Sequence, residues 1–416
     1  MTPRQPRIAT YGYFGMGNIG NEGSLAAFLG YLRRDHPEAV VSCIAAGPEA
    51  VRREHGIPAT RLMAFRADPG SGGLGVTLRK VLGRVRDVPR TFAMMTGVDV
   101  LVVPGTGVLE TRLMAGPWGL PLWMFLATLS CRVLRRPVLL VSVGAEPAEH
   151  PMTRRLFRGT VRLATYVSYR DAESQAVARS WGVRPVGPVH PDLAFSLPAP
   201  AAPAVRPGHV VVGVMAYQGR PGSPEHGPGV VREYAGRMAE LVGRLGQSGR
   251  SVTLVVGDVA DLGLARDIRA AAVAGWTLDA DRVVVSEATT MTAIMAEMAQ
   301  AEVVVASRFH NVIAALRVAR PVVSLGYAGK NDRLLEEFGL GAFVQPMDEL
   351  DVDLLLAQLA EVQSQPGLEL VMKEVLRRYE DDLAGQFRHL STQVLAPAAT
   401  SRRWRRVLRR PARLRR

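Results

Sequence analysis

Four side chains stand where chemistry could be done. Val303-Val-Val-Ala306 is an apolar run, and Ser307-Arg308-Phe309-His310-Asn311 follows it ahead of a helical pattern reaching Val318. Arg308 and His310 are therefore expected between the end of a buried strand and the start of a helix. Free backbone amides and the helix dipole favour an anion there. The next apolar run, Pro321–Tyr327, leads through Gly326-Tyr-Ala-Gly-Lys330 and brings Lys330 to the same edge of the sheet. In the first half, Tyr166-Val-Ser-Tyr169 delivers Arg170 directly before another helix. Guanidinium forks hold a carboxylate or phosphate bidentately, an ammonium neutralises it as a point charge, and imidazole titrates near neutral pH. A lone His in such a place is more often a helix cap. Three cations beside it point instead to a small polyanionic substrate with a proton-transfer group at hand.

A second constellation precedes these. Gly15-Met-Gly17-Asn18-Ile-Gly20 follows the first strand and opens a helix, which matches G-x-G-x-x-G in its proper context. A dinucleotide site also needs an acid at the end of the second strand to hold the ribose. That strand ends Ala45-Ala46-Gly47-Pro48, with Glu49 after a turn, so the nicotinamide reading loses its second support. What remains is a tight turn whose amides, with Asn18, Asn21 and Glu22, face a cleft, or glycines that serve strand–helix packing alone. Eight His without ligand spacing and no H-E-x-x-H pattern argue against a zinc hydrolase. Two cysteines, Cys43 and Cys131, lie in apolar surroundings and cannot build a disulfide framework.

These residues need strands and helices to position them. The chain has 416 residues, too many for one ordinary domain, and 48% are hydrophobic, too apolar for disorder. β-branched runs alternate with helical patterns almost throughout. Strands are expected at Ile8–Phe14, Val40–Ala46, Leu62–Phe65, Val98–Val103, Val138–Val143 and Tyr166–Tyr169. A second set follows at Val210–Met215, Val252–Val256, Val283–Val285, Val303–Ala306, Val322–Leu325 and Ala342–Val344. Their continuous apolar character suits parallel sheets covered on both faces. Helices are expected over 171–182 and 332–339, each opening on an Asp cap and stopping at Gly. The fold class is α/β, with two Rossmann-like doubly wound domains facing a cleft at the strand C-termini, a GT-B-like arrangement. The first domain spans 1–197 and contributes Arg170. A Pro/Ala linker follows at 198–208, then the second domain at 209–346, C-terminal helices at 347–396 and an Arg-rich, disordered tail at 397–416.

With these pieces in order the chain resembles the polysaccharide pyruvyl transferase family. The matching segments are Gly12-Tyr-Phe-Gly-Met-Gly-Asn-Ile-Gly-Asn-Glu22, Pro104-Gly-Thr-Gly-Val-Leu109, Val143-Gly-Ala-Glu-Pro147 and Ser168-Tyr-Arg-Asp171. Pro191-Asp192, Ser307-Arg-Phe-His310 and Gly326-Tyr-Ala-Gly-Lys330 complete the set. The resemblance implies transfer of pyruvate from phosphoenolpyruvate to two hydroxyls of a sugar, giving a cyclic ketal without a metal or further cofactor. It assigns donor binding to Arg170, Arg308 and Lys330 and catalysis to His310. Gly15, Gly17, Asn18, Asn21, Glu22, Thr106 and Asp192 become acceptor-side residues. Asn21 stands where the family often has an acid, and Thr106 interrupts a turn often richer in Gly.

The chemistry fits these residue types independently. Protonating the methylene carbon of phosphoenolpyruvate makes C2 cationic and open to a sugar hydroxyl; phosphate then leaves and a neighbouring hydroxyl closes the ring. Two other readings compete. A nucleotide-sugar glycosyltransferase on the same fold needs a ribose-binding carboxylate, for which Glu336 and Glu337 are the candidates. A basic membrane- or RNA-binding adaptor lacks basic patches interleaved with aromatics, so no specific nucleic acid is expected.

Net charge is +13, but nine Arg and no acid fall within 397–416, which leaves only +4 for the rest. The basic pI thus describes a tail, either a solvated end or one suited to an anionic membrane surface that would also carry a lipid-linked saccharide acceptor. The basic N-terminal stretch leads into a run broken by glycines and not into a signal-peptide core. A cytoplasmic location, at the inner face of the membrane, is expected. Leu113–Cys131 carries no charge over 19 residues. It reads as a buried helix starting at Pro121, with an interface element built on Trp118 and Trp123, or a span, as alternatives.

Overall fold

A computed structural model describes residues 5–63, 74–110, 116–201, 204–219, 227–326 and 329–395, with the backbone alone over 74–84. The first sheet has the strands β1 (Arg7–Gly12), β2 (Val40–Ala45), β3 (Ala59–Arg61), β4 (Val100–Pro104), β5 (Val138–Val143) and β6 (Tyr166–Tyr169). Between and after them run α1 (Ile19–Asp35), α2 (Pro48–His55), α3 (Leu74–Thr96), α4 (Leu120–Val133), α5 (Pro151–Leu163) and α6 (Ala172–Ser180). Strand order is β3-β2-β1-β4-β5-β6, every pair parallel.

The second sheet repeats that plan. Its strands are β7 (His209–Val214), β8 (Ser251–Val256), β9 (Val283–Val285), β10 (Val303–Ala306), β11 (Val322–Gly326) and β12 (Val344–Pro346). The accompanying helices are α7 (Pro228–Gln247), α8 (Leu262–Trp276), α9 (Met291–Ala299), α10 (Phe309–Arg317), α11 (Lys330–Glu337), α12 (Val352–Ser364) and α13 (Leu368–His389), the last continued by a wider turn at Leu390–Leu395. The order β12-β11-β10-β7-β8-β9 is the first sheet's order with each strand number raised by six and read from the other edge. Both are doubly wound Rossmann-like sheets, and each reverses beside its first strand, the place where such sheets bind ligands. β4, β5 and β7 are buried at every residue, as strands covered on both faces must be.

The chain divides into two compact units, one of Met1–Met16, Ser24–Leu193 and Asp381–Arg416, the other of Gly17–Gly23 and Ala194–Glu380. In the first, one layer of core joins α3, α4 and α5 to the sheet through Met95, Trp123, Ala127, Phe157 and Val161. The opposite layer packs Leu25 and Leu29 of α1 and Val51 of α2 on Cys43 and Ala45. The end of α13 is fastened into this unit by Phe387 stacked on Tyr31, ring centroids 4.3 Å apart. Gln386 accepts from Ser142 Oγ at 3.2 Å and donates to Ser168 Oγ at 2.6 Å, while the Ser142 amide donates to the same Ser168 oxygen. This buried triad braces the irregularity in β5, where the register shifts and Ser142 turns to φ 49°.

Strand expectations hold in number; β1 ends at Gly12, before the expected Phe14, β4 starts at Val100, after the expected Val98, and two strands are displaced as a whole. β3 pairs through Ala59–Arg61, ahead of the expected Leu62–Phe65, because the left-handed cap at Gly56 releases the chain early enough for Ala59 to meet Cys43. β12 lies at Val344–Pro346, two residues beyond Ala342–Val344. Helix α11 begins at Lys330, so Asp332 lies in its first turn and is not its cap. Asp171 does cap α6, its Oδ1 accepting from the Ser174 amide at 2.6 Å. The expected helix from Pro121 is α4. Trp123 is 2% exposed and cannot serve an interface, whereas Trp118 is 49% exposed. Residues 113–115 and the tail 397–416 lie outside the described residues, and no described helix is long and apolar enough to cross a membrane.

Candidate functional site

In the second unit the expected residues gather at the C-terminal edge of the sheet, beside its reversal point. Arg308 precedes α10 in extended conformation, and its side chain crosses Gly257 to reach Asp261. Arg308 Nε donates to Asp261 Oδ2 at 2.5 Å, and Asp261 Oδ1 accepts from the Ala216 amide at 3.0 Å. Loops following β7, β8 and β10 are thus tied by one carboxylate that is 1% exposed. Arg308 keeps 24% of its side-chain surface in solvent.

His310 occupies the second position of α10, half-buried. Its ring stands edge-on to Phe309, centroids 5.5 Å apart, and Lys330 Nζ sits 5.6 Å from the Phe309 ring on the other element. Lys330 opens α11, whose next residue, Asn331, donates to Ser324 Oγ at 3.2 Å and to the Ser307 carbonyl at 3.5 Å. Ser307 in turn donates to the Gly213 carbonyl at 2.9 Å. These bonds fix the Lys330 and Arg308 loops relative to each other.

Gly17–Gly23 belongs to this same unit. Asn18 bridges to Asp258 through the backbone, with the Ile19 amide donating to the Gly257 carbonyl and the Val259 amide to the Gly17 carbonyl. Asn18 Nδ2 also donates to Asp258 Oδ2 at 3.2 Å, and Asn18 Oδ1 caps α1 by accepting from the Asn21 amide. A Cβ on Gly20 would fall inside the His310 imidazole. Gly20 is therefore bare because the ring lies against it. Gly15 and Gly17 carry the turn at φ 76° and 85°. Asn21 and Glu22 are each about one-twentieth exposed, packed into the first turn of α1.

Arg170 belongs to the first unit and sits in different surroundings. Its side chain is 3% exposed, with Nη2 on Glu110 Oε1 at 2.5 Å, Nε 3.5 Å from Asp171 and Nη1 3.6 Å from Asp192. Burial alone would lower its pKa, but the carboxylates of Glu110, Asp192, Asp171 and Glu146 more than offset this and hold it above the usual arginine value. Gly144 is required here, since a Cβ would lie 2.6 Å from the guanidinium carbon. Thr106, 4% exposed, takes the left-handed φ of 66° that glycine favours, and its carbonyl accepts from the Gly144 amide at 2.8 Å. Four of the quoted segments thus converge on one buried ion cluster. Arg170, expected at the donor, thus has carboxylates of its own unit beside Nη2, Nε and Nη1. Glu110 and Asp261 carry no motif of their own: they lie six and five residues beyond the ends of β4 and β8, too far for a strand end to mark them.

The family model of polysaccharide pyruvyl transferase matches residues 18–329. The chain belongs to that family. Membership carries a pyruvyl-transferring activity and a glycan acceptor. No curated protein matches the chain in sequence. Among solved structures it is similar to S. aureus MnaA with UDP, at TM-score 0.58, 12% identity and 92% and 94% of the two chains. It is also similar to the UDP-GlcNAc 2-epimerase from Methanocaldococcus jannaschii, at TM-score 0.57, 10% identity and 87% and 94% coverage. The glycosyltransferase SnogD from Streptomyces nogalater gives TM-score 0.53, 15% identity and 95% and 100% coverage. At such identities these establish the GT-B-like fold alone.

Proposed function

We propose that the protein transfers pyruvate from phosphoenolpyruvate to two hydroxyls of a cell-surface glycan or its lipid-linked precursor, with the donor held by the second unit. The observation that carries this reading is the gathering of Arg308, His310 and Lys330 around the start of α10, with Gly20 shaped to the imidazole. Arg308 and Lys330 bind the carboxylate and phosphate, helped by the N-terminal end of α10. His310 gives a proton to the methylene carbon, and the first sugar hydroxyl adds to C2, losing its proton back to His310. Phosphate departs from C2 with the electrons of its C–O bond. The second hydroxyl closes the ketal, and its proton leaves with the phosphate. Such proton transfer contributes about 10²–10⁴-fold. No cofactor beyond the donor is required.

Glu336 and Glu337, the carboxylates a glycosyltransferase reading would use, lie in the last turn of α11, roughly 9 Å along the helix from Lys330. Glu337 accepts from Tyr379 Oη at 2.7 Å. Neither stands at the anion-binding edge. Thermal unfolding in the presence of phosphoenolpyruvate or a UDP-sugar separates the two functions. Protection by phosphoenolpyruvate, with a pyruvate-ketal mass increment on the glycan product, is expected; protection by the UDP-sugar alone would overturn the proposal.

A further inference from the structure

The outer surface of the α3–α4–α5 layer in the first unit differs from the rest of that unit. Leu129 and Val133 of α4 are 37% and 64% exposed, and Trp118 stands exposed in the turn just before that helix. On α3 the exposed residues include Val85, Val88 and Phe92, spaced three and four apart so that they form one stripe. α3 packs on α4 and α4 on α5, where Phe125 closes against Gly159.

Charge around this apolar stripe is of one sign. Arg132 and Arg135 are exposed at the end of α4, and Arg154, Arg155 and Arg162 along α5. Neither α4 nor α5 contains an acid, and Asp87, the acid in the described side chains of α3, is 1% exposed. Glu149, in the loop ahead of α5, is the exposed acid nearest in sequence. The opposite layer is mixed, with Asp35, Glu49 and Glu54 exposed among Arg33, Arg34 and Arg53.

An apolar stripe flanked by arginines calls for an occupant that is apolar at depth and anionic at its surface. A second copy docking through the same face would set arginine against arginine across a twofold axis. A bilayer with anionic headgroups has both properties, and tryptophan is favoured at its boundary. We propose that the α3–α4–α5 face seats the protein on an anionic membrane, with the stripe in the headgroup layer and the arginines on lipid phosphates. α4 starts at the C-terminal edge of the sheet, the edge that bears Glu110 and Arg170, so that edge would be held near the lipid surface. This inference does not rest on the pyruvyl-transfer chemistry.

Sedimentation of the full-length protein with vesicles tests it. Binding to phosphatidylglycerol-containing vesicles, weak binding to phosphatidylcholine alone, and loss of the difference with added salt are expected. The double variant Leu129→Glu/Val133→Glu, and separately Arg154→Glu/Arg155→Glu, should each lower the bound fraction by about 10-fold or more with an unchanged melting temperature. Removing 397–416 should leave binding through the face in place. Wild-type binding by both double variants, or binding lost entirely with the tail, overturns the proposal. So does light scattering that shows Leu129→Glu/Val133→Glu splitting a dimer while vesicle binding persists.

Discussion

Replacing Arg170 with Ala separates two occupations that the sequence alone does not distinguish. A donor-binding arginine at an open edge contributes little to stability, about 0–1 kcal/mol, and its loss shows in ligand affinity. The structure describes something else: a guanidinium 3% exposed, between side chains of Glu110 and Asp192 that are 11% and 2% exposed. Removing the cation takes from those carboxylates the guanidinium charge that offsets their desolvation. Breaking a buried pair from one side costs about 3–5 kcal/mol. For a folding unit of this size that corresponds to a fall in melting temperature of roughly 10 °C.

Calorimetric melting of Arg170→Ala reads this directly, and titration with phosphoenolpyruvate below the transition reads the donor site. A large drop in melting temperature with donor affinity kept within about threefold, well under 1 kcal/mol, is expected. Glu110→Gln in the same background should recover part of the loss, since it removes one of the stranded charges, and the double-mutant cycle should show coupling above about 0.5 kcal/mol. A variant that melted like the wild type but no longer bound phosphoenolpyruvate would refute this reasoning and return Arg170 to the donor site.

Other outcomes follow from the second unit. His310→Ala should keep the fold and lose about 10²-fold or more in turnover; full turnover would leave His310 a helix-start residue only. Gly20→Ala should imitate it, because the added methyl occupies the imidazole's place, with turnover falling more than donor affinity; unchanged kinetics would show that the ring is not needed there. Arg308→Ala and Lys330→Ala should each weaken phosphoenolpyruvate binding by about 1.5–3 kcal/mol in calorimetry, and unchanged affinity in both would remove the donor from this unit. His209, the first residue of β7, is buried, and that burial, with Arg206 beside it, pushes its pKa down to about 4. Arg206 donates to its Nε2 at 2.7 Å, so the folded ring is neutral. The unfolded chain then takes up a proton that the fold refuses. Stability should be full above about pH 6.5 and fall by up to about 3 kcal/mol as pH drops towards 4. Melting curves of wild type and His209→Asn that ran parallel with pH would contradict this.

What the sequence made legible was local. Eleven of the twelve strands were visible as apolar runs; β3, Ala59-Thr-Arg61, has no such run and was placed one segment too late, and β12 was shifted by two residues, both at a sheet edge with a single partner. A central strand such as β10 is bounded by burial on both faces and both flanks, whereas an edge strand's limits are set by where its single partner stops. The places of Arg308 and His310 were legible for the same reason: a strand end followed at once by a helix start fixes both within a few residues. Contacts across long separations were not. Gly20 meets His310 from 290 residues away, and Arg170 meets Glu110 from 60. The glycine pattern at 15–20 could be recognised as a turn, but nothing local says which ring the last glycine admits.

The two arginines show how neighbouring carboxylates decide what a cation is for. Around Arg170 three carboxylates lie within 3.6 Å, one on each nitrogen of the fork. Around Arg308 a carboxylate grips the Nε side, fixes the direction of the fork and leaves about a quarter of the side chain in solvent, with Lys330 and the start of α10 nearby. Holding a guanidinium by one end orients it without cancelling it, which is what bidentate recognition of a carboxylate or phosphate requires. That is the ground on which the proposed function puts a polyanionic donor at the second unit. The cluster around Arg170 instead joins the loops after β4, β5 and β6 of the first unit, through Glu110, Gly144 and Arg170 itself, so its carboxylates act on the fold of that unit.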